Sequence, residues 1–528
     1  MTGLIPGPRS IKLASAPAAR LLDEEASRSW GLNPFALVEA AGRGCAQNFT
    51  AAFPDFFKKA DFKGRPLLRI TAVSGSGNNG ADAMVLLRAL IFRGLARADL
   101  SAVVVNRMPR EDEYNPRSEA YRSLRALGVS SFIWEGEGGS AAGDALAQGD
   151  IIIDGIAGTG TRGRLGGSAA EMVRFINALK TVEEGPFILA VDVPSGASDD
   201  WERDNPIIRA DATAVIEPRK AMLYTPAIRP FGGTLLPVEE IFPAPLLDSL
   251  DGPELLDWDR VRLRIGGINK DAYKQKRGTL EIRAGSPGFS GAARIAARGA
   301  QAAGAGLVRL IVDDELYPIL ASQTWGVMAA PLSRWGGSPQ GDALVLGPGW
   351  GKGADRAGML QKAWEQEAAG VPLILDADAI SPAREGIYHG RAIFTPHPGE
   401  CAVLTGLPKE DILAHPLPIL TRLAREKQAT ILFKSHVFFV AAPDGRIGVV
   451  DGMTPVLSAG GSGDLLAGIC GALAARMVQA GAFDGYTCAV TAAALLAETG
   501  RQAQNAGVFT DPAELADWTA RIAGAAWL

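Results

Sequence analysis

The sequence predicts an α/β protein of two domains, each built on a doubly wound parallel sheet, and three observations support this. Its 528 residues exceed what one hydrophobic core holds, so two or three domains are expected. Short apolar strands alternate with helical patterns in two separate blocks, the signature of parallel sheets with crossover helices. Between the blocks, residues Ile241 to Pro253 carry three prolines among turn residues. That stretch reads as a linker and places the domains at 1–250 and 251–528.

In the first block, residues 67–73, 100–105, 151–153 and 187–191 read as strands, and Ala81 to Phe92 as a helix opening after the first of them. In the second, residues 279–283, 307–312, 343–346, 373–375, 392–394 and 430–433 read as strands, with a small-residue helix from Ala293 to Ala303. No internal repeat or low-complexity tract is evident.

Composition excludes several classes. Hydrophobic content of 47% with 21% charged residues is that of an ordinary globular protein. A net charge of −5 leaves no basic footprint, so nucleic acid is not an expected partner. Cys45, Cys401, Cys470 and Cys488 form no CxxC pair, as expected for reduced thiols in the cytoplasm. The first residues lack the pattern of a secretory signal, and no apolar run reaches the roughly 18 residues of a membrane span. Pro398 and Gly399 between His397 and Cys401 argue against a helical metal pair.

Gly460-Gly461-Ser462-Gly463-Asp464, followed by the apolar run Leu465 to Ile469, is the most informative stretch. Glycines let a backbone approach a ligand closely, and a helix opening after them directs unpaired N–H groups and a positive dipole end at that spot. A carboxylate there repels phosphate, which makes sense if Asp464 accepts the proton of a hydroxyl attacking a phosphoryl group. An acidic helix N-terminus after a Gly-rich turn is the plain alternative.

In the first block, Gly75, Gly77 and Gly80 follow a strand and open a helix, a GxGxxG pattern that raises a Rossmann-like dinucleotide site, with Arg107 placed to meet a 2′-phosphate. Asp82 at the helix start speaks against a pyrophosphate there. Asn78, Asn79, Asp82, Asp154, Asp192 and Ser195 at successive strand ends would instead form one oxygen-rich pocket suited to a hard cation. A loop whose Asn and Gly only satisfy turn geometry remains open.

This block, from about Ala19 to Pro243, resembles the NAD(P)H-hydrate epimerase domain. The resemblance rests on Leu37 to Gly42, Asn78-Asn79-Gly80-Ala81-Asp82, Asp154 to Gly163, Asp192 to Gly196, Ala210 to Thr213 and Lys220. It implies a Rossmann-like three-layer domain that interconverts R and S epimers of NADHX or NADPHX, nicotinamides hydrated at C6. It also implies that Asn78, Asn79, Gly80, Ala81, Asp82, Gly158, Thr159, Gly160, Thr161, Arg162 and Gly163 bind the hydrate. Asp192 would sit at the reacting centre, and Asn79, Asp154 and Ser195 would hold a potassium ion. Ala40, Ala81 and Ala83 depart from the family's usual Asn and two glycines.

The second block carries further strand-end loops: Gly285 to Ala292, Gly347 to Gly351, Asp376-Ala377-Asp378, Thr395 to Glu400 and Lys434 to His436. Residues 347–353 superficially suggest a Walker A loop with Lys352 but lack its spacing and its Ser/Thr. From about Arg260 onward, these loops resemble the ribokinase-like superfamily and, within it, the ADP-dependent NAD(P)H-hydrate dehydratase domain. The resemblance implies that Asp464 takes the proton of the C6 hydroxyl. Lys434, Ser435, His436, Val437, Phe438, Gly461 and Gly463 would bind ADP, brought with Mg2+, and Ala292, Gly349 and His397 would line the hydrate. Ser435 stands where the family usually has glycine. His397 as a rigid loop residue and Lys434 as a surface charge are the plain alternatives.

The expectation is a bifunctional repair enzyme with NADHX or NADPHX and ADP as ligands, and a homo-oligomer. Two alternatives stay open: a ribokinase-like small-molecule kinase, and a first block that is a catalytically silent nucleotide- or protein-binding module.

Overall fold

The computed structural model describes residues 10–528 apart from 62, 111–112, 137–139, 182–184, 335–339, 352–355 and 509–510. Lys352 and Gly353 of the Walker-like stretch lie outside the described residues. Two compact units divide the chain: Lys12–Gly252, and Pro253–Leu528 together with the segment up to Ile11. The linker stretch holds a short helix, Ala244–Asp248, and Gly252 is the last residue of the first unit.

The first unit has a seven-stranded sheet. Across it run Ser130–Ile133, Ser101–Val105, Ile70–Ser74, Ile151–Gly155, Phe187–Val191, Ala212–Ile216 and Thr234–Val238, all parallel. The chain builds outward from Ile70–Ser74 to one edge, then returns to Ile151–Gly155 and builds toward the other. The reversal opens a crevice at the carboxyl ends of those two strands. The central strands are buried on both faces and read as unbroken Ile/Val/Ala runs. Three strands, at 130–133, 212–216 and 234–238, were not read from sequence. Ser130-Ser131-Phe132-Ile133 and the Pro237-containing edge strand carry weak apolar patterns.

The second unit has an eleven-stranded sheet. Its parallel core runs Thr430–Phe433, Ala392–Phe394, Leu373–Leu375, Ala343–Leu346, Thr279–Arg283, Leu307–Val312 and Met328–Pro331. The six strands read from sequence appear at the expected residues. An antiparallel pair, Val437–Ala441 and Ile447–Asp451, extends one side. Here the chain reverses between Thr279–Arg283 and Ala343–Leu346, which places the crevice above those two strands.

Helix Ser462–Gln479 is fixed by close backbone approach to helix Ser290–Ala302. A Cβ on Gly468 would stand 1.9 Å from the Ala296 carbonyl oxygen, and one on Gly299 would stand 2.4 Å from that of Leu465. The abundance of Gly and Ala in both helices thus has a packing cause. It seats the Asp464 end of the helix over the sheet.

Candidate active sites

Helix Asn78–Phe92 starts at the crevice of the first unit. Gly75 and Gly80 are there for packing: a Cβ on Gly75 would lie 1.8 Å from the Ile156 carbonyl oxygen, and one on Gly80 would lie 2.5 Å from that of Gly75. Gly77 has open space beside it and is the N-cap, with no side chain capping the first turn. The helix therefore begins three residues earlier than Ala81, because Asn78, Asn79 and Gly80 wind up against the strand end. Ala81 and Ala83 are helical and buried, so neither departure from the family pattern meets a positive φ.

A cavity of ≈ 1230 Å³ lies over this helix start. Of the residues expected to bind the hydrate, Asn78, Asn79, Asp82, Gly158, Thr159, Gly160, Thr161 and Arg162 border it, as does Asp192. Gly80, Ala81 and Gly163 are not among its walls; Gly80 packs on the Ser74–Gly75 turn, and the Gly163 amide donates to Asp200 at 2.9 Å. Asp23 on helix Ala16–Arg28 and Lys220 complete the charged wall. The sequence reading gave Lys220 no role and did not mention Asp23.

Asp192 sits at its strand end with φ +69, in the left-handed region that costs a non-glycine residue energy and that clusters at functional positions. Its Oδ1 accepts a hydrogen bond from Lys220 Nζ at 2.5 Å, and Lys220 also donates to the Ile216 carbonyl at 3.0 Å. Burial pushes the Asp192 carboxyl above its ordinary value while the Lys220 charge pulls it down. Burial, with the Asp192 charge adding, pushes the Asp82 carboxyl well above its own.

Beside the cavity, Asp154 is fully buried. It accepts from the Ser195 hydroxyl at 2.5 Å and the Ser195 amide at 2.8 Å, and burial raises it to about 6. Asn79 has both side-chain polar atoms buried with no partner. An orphaned amide next to a carboxylate and a hydroxyl is an oxygen donor set that fits a hard monovalent cation.

In the second unit, Gly461 is the N-cap of Ser462–Gln479 with φ +102, and again no side chain caps the first turn. Asp464 stands in that turn. Burial raises its carboxyl to about 7; Asp376, Asp378 and Glu400 add to this and Lys434 opposes it. Lys434 donates to Asp376 Oδ1, the oxygen that also accepts the Thr395 hydroxyl at 2.6 Å. Burial pulls the Lys434 ammonium down, but Asp376, Glu400 and Asp464 more than offset this and leave it raised. Lys434 is a largely buried, ion-paired charge rather than a solvated one.

The other expected residues fall as follows. Gly349 (φ +55) and Ala292 meet: a Cβ on the glycine would stand 2.8 Å from that of Ala292. His397 caps helix Pro398–Thr405, its Nδ1 accepting from the Gly399 amide at 2.9 Å, while Glu400 accepts from the His397 amide at 2.8 Å. Its ring is more than half exposed and its Nε2 lies 3.4 Å from Glu400 Oε1, so both ring nitrogens engage the start of the same helix. The Ser435 hydroxyl folds back onto the Val437 main chain. Val437 and Phe438 turn inward as core residues, and their main chains pair with Asp451 and Val450.

Asp376, Asp378, Thr395 and Glu400 were visible in their loops, yet only the fold reveals that they share one electrostatic site. Strand-end position was the signal available. Among the described residues no group of three or more His, Cys, Asp or Glu side chains could hold a metal ion. No helix among them is long and apolar enough to cross a membrane.

Two parallel α/β units, each with an uncapped helix start beside a buried aspartate and lysine, define an enzyme with two sites for anionic ligands. Known proteins narrow this class. Residues 34–221 match the family described as YjeF-related protein N-terminus, and residues 280–521 that described as NAD(P)H-hydrate dehydratase. The bifunctional NAD(P)H-hydrate repair enzyme Nnr of Escherichia coli K12 is 30% identical over 485 residues, covering 85% of this chain and 82% of its own. That of Moorella thermoacetica is 29% identical over 526 residues, covering 94% and 95%. The chain belongs to the family of bifunctional NAD(P)H-hydrate repair enzymes. Among solved structures, the ADP/ATP-dependent NAD(P)H-hydrate dehydratase of Bacillus subtilis co-crystallised with ATP and Mg2+ aligns at a TM-score of 0.45 and 23% identity, over 51% of this chain and 98% of that one.

Proposed function

We propose that the first unit interconverts the R and S epimers of NADHX and NADPHX. The second unit dehydrates the S epimer to NADH or NADPH at the expense of ADP, giving AMP and phosphate. The observation that carries this reading is Asp464. It is a carboxyl raised to about 7 in the first turn of an uncapped helix, within the field of Lys434. Such a group is poised to take a proton near neutral pH where a phosphoryl group would bind.

In the dehydration, Asp464 accepts the C6 hydroxyl proton as that oxygen attacks the terminal phosphorus of ADP and the bond to AMP breaks. The helix-start amides and Lys434 offset the charge that builds on the phosphoryl oxygens. The C6–O bond then breaks, pushed by the ring nitrogen lone pair, and loss of a C5 proton restores the dihydronicotinamide. Gly349, Ala292 and His397 would line the hydrate. ADP is the proposed donor on the resemblance to bacterial-type domains. Mg2+ would arrive with the nucleotide; among the described residues no group of carboxylates forms a dedicated cage for it.

In the epimerisation, C6 carries both a nitrogen and a hydroxyl, so its configuration is lost when the C–O bond breaks with the nitrogen lone pair forming an iminium. Asp192 is the proposed proton-transfer group. Asn79, Asp154 and Ser195 would hold K+, which supplies a fixed positive charge beside the anionic ligand. Of the alanines on which the silent-module alternative rests, Ala81 and Ala83 are buried in helix Asn78–Phe92 and Ala40 is exposed on helix Pro34–Ala52, so the assay below decides that alternative.

The test incubates the full chain with mixed R and S NADHX, Mg2+ and either ADP or ATP, following NADH absorbance and phosphate. Complete conversion with equal phosphate, faster than spontaneous epimerisation, is expected with ADP. A halt after the S fraction would reject the epimerase activity. A stable phosphorylated product without NADH would reject the dehydratase in favour of a kinase.

A further inference from the structure

Inverting C6 through an iminium needs proton transfer on both faces of the ring. The hydroxyl leaves one face as water, and a new water adds to the other. A single carboxyl reaches one face. Of the carboxyls in the cavity walls, Asp82 and Asp192 are the two that are buried, and their partners differ. Asp192 is bonded to the Lys220 ammonium, which is itself anchored on the Ile216 carbonyl. Asp82, in helix Asn78–Phe92, is 7% exposed with Oδ1 buried and unpartnered, and no ion pair reaches it among the described residues. A buried carboxyl without a partner is a costly thing to keep, and epimerisation gives it a use.

We propose, resting on the epimerase reading, that Asp82 and Asp192 form a two-sided acid–base pair, one giving a proton to the departing hydroxyl and the other taking a proton from the incoming water. Burial raises both carboxyls and Lys220 favours the anion of each, but the Lys220 ammonium is bonded to Asp192 alone, and that contact sets the acid and base roles apart. The groups facing the pair are consistent with these roles. Asp23 on helix Ala16–Arg28 and Asp192 itself favour the neutral form of Asp82, the buried Cys45 thiol lies in the field of both, and Lys220 favours the anion of Asp192. The step balances: Asp82 loses a proton, water departs, and the ring nitrogen lends and then recovers its electron pair. The added water gives a proton to Asp192, and exchange with solvent resets the pair. No oxidant or further reactant is needed.

The experiment follows one resolved NADHX epimer in 18O-water with the full-length chain, measuring epimer ratio and C6 oxygen mass. Wild type is expected to incorporate one 18O per inversion. Asp82→Asn, nearly isosteric, is expected to slow inversion by roughly 10²–10⁴-fold. It is also expected to keep 18O exchange with retention in one epimer above the buffer rate, because Asp192 still serves its own face. Asp192→Asn should leave retention exchange in the other epimer. An unchanged thermal midpoint shows that the fold is intact, and Asp82→Ser serves as a second variant. Inversion by Asp82→Asn within a few-fold of wild type overturns the proposal. So does a parallel loss of inversion and exchange, which means a binding or structural role, and so does wild-type inversion without 18O uptake, which means ring opening. No inversion by wild type above buffer rejects the epimerase reading itself.

Discussion

A Cβ on Gly463 would stand 3.3 Å from Nζ of Lys434, so the ammonium lies directly against the first turn of the helix that carries Asp464. Two sources of positive potential, a side-chain charge and a helix N-terminus, therefore converge where a phosphoryl group would bind. In the proposed dehydration, that positive potential lets the aspartate beside them act as base without repelling the phosphoryl group outright.

Gly463→Ala tests that closeness. Alanine suits a helix better than glycine by about 1 kcal/mol, so the fold is expected to stand. The new methyl pushes Lys434 off its position, and the dehydratase rate should fall about tenfold or more with an unchanged thermal midpoint. An unaffected rate would mean that the ammonium yields without consequence.

Asp464→Asn should lower dehydration by roughly 10²–10⁴-fold, while R-to-S conversion, carried by the other unit, continues. Stability should move the opposite way. The carboxyl rises to about 7 on burial, so folding favours its protonated form. Ionising it within the fold carries a cost that sets in above its ordinary value and is complete above the folded one. The variant should be more stable than wild type above neutral pH, and the difference should vanish below about pH 4, as denaturant titrations across pH would show.

The same carboxyl sets the pH profile. Dehydration kcat/KM should fall as pH drops below about 7, as Asp464 becomes protonated. Lys434 opposes that protonation, so Lys434→Met should move the acid limb to higher pH. A limb that stays in place would show that Lys434 acts only on the nucleotide.

Gly468→Ala probes how the helix is seated. Its Cβ would fall 1.9 Å from the Ala296 carbonyl oxygen, a clash with backbone that cannot rotate away. A loss of stability of about 1–3 kcal/mol is expected. Dehydratase activity should fall with it at a distance from the chemistry, read by unfolding and by rate.

Ala81→Gly restores the family's usual residue in the first unit. Ala81 is buried in the first turn of its helix and does not border the cavity, so epimerisation should not improve. The unit should lose about 1 kcal/mol from helix propensity. A faster epimerase would show that the alanine constrains the loop after all.

Most central strands of both sheets were legible because strands buried on two faces are largely apolar runs, although the buried strand at 212–216 was missed. The edge strands at 130–133 and 234–238 were not, since partial exposure dilutes the pattern. Asp464, Lys434 and Asp192 were legible as strand-end or helix-start residues. Val437 and Phe438, expected along the nucleotide from the family resemblance, lie in an antiparallel strand with their side chains buried, a placement their short apolar run did not reveal.

The sequence by itself determined the two α/β units, the loops that carry chemistry and the family, because these are written in local periodicity and in short motifs. Only the tertiary structure decided which charges meet. Lys434 against Asp376 and Lys220 against Asp192 are separated by 58 and 28 positions in the chain. Parallel sheets bring them together by aligning the carboxyl ends of strands distant in sequence. Burial at the helix start raises the Asp464 carboxyl to about 7, and burial at the strand end pushes that of Asp192 above its ordinary value.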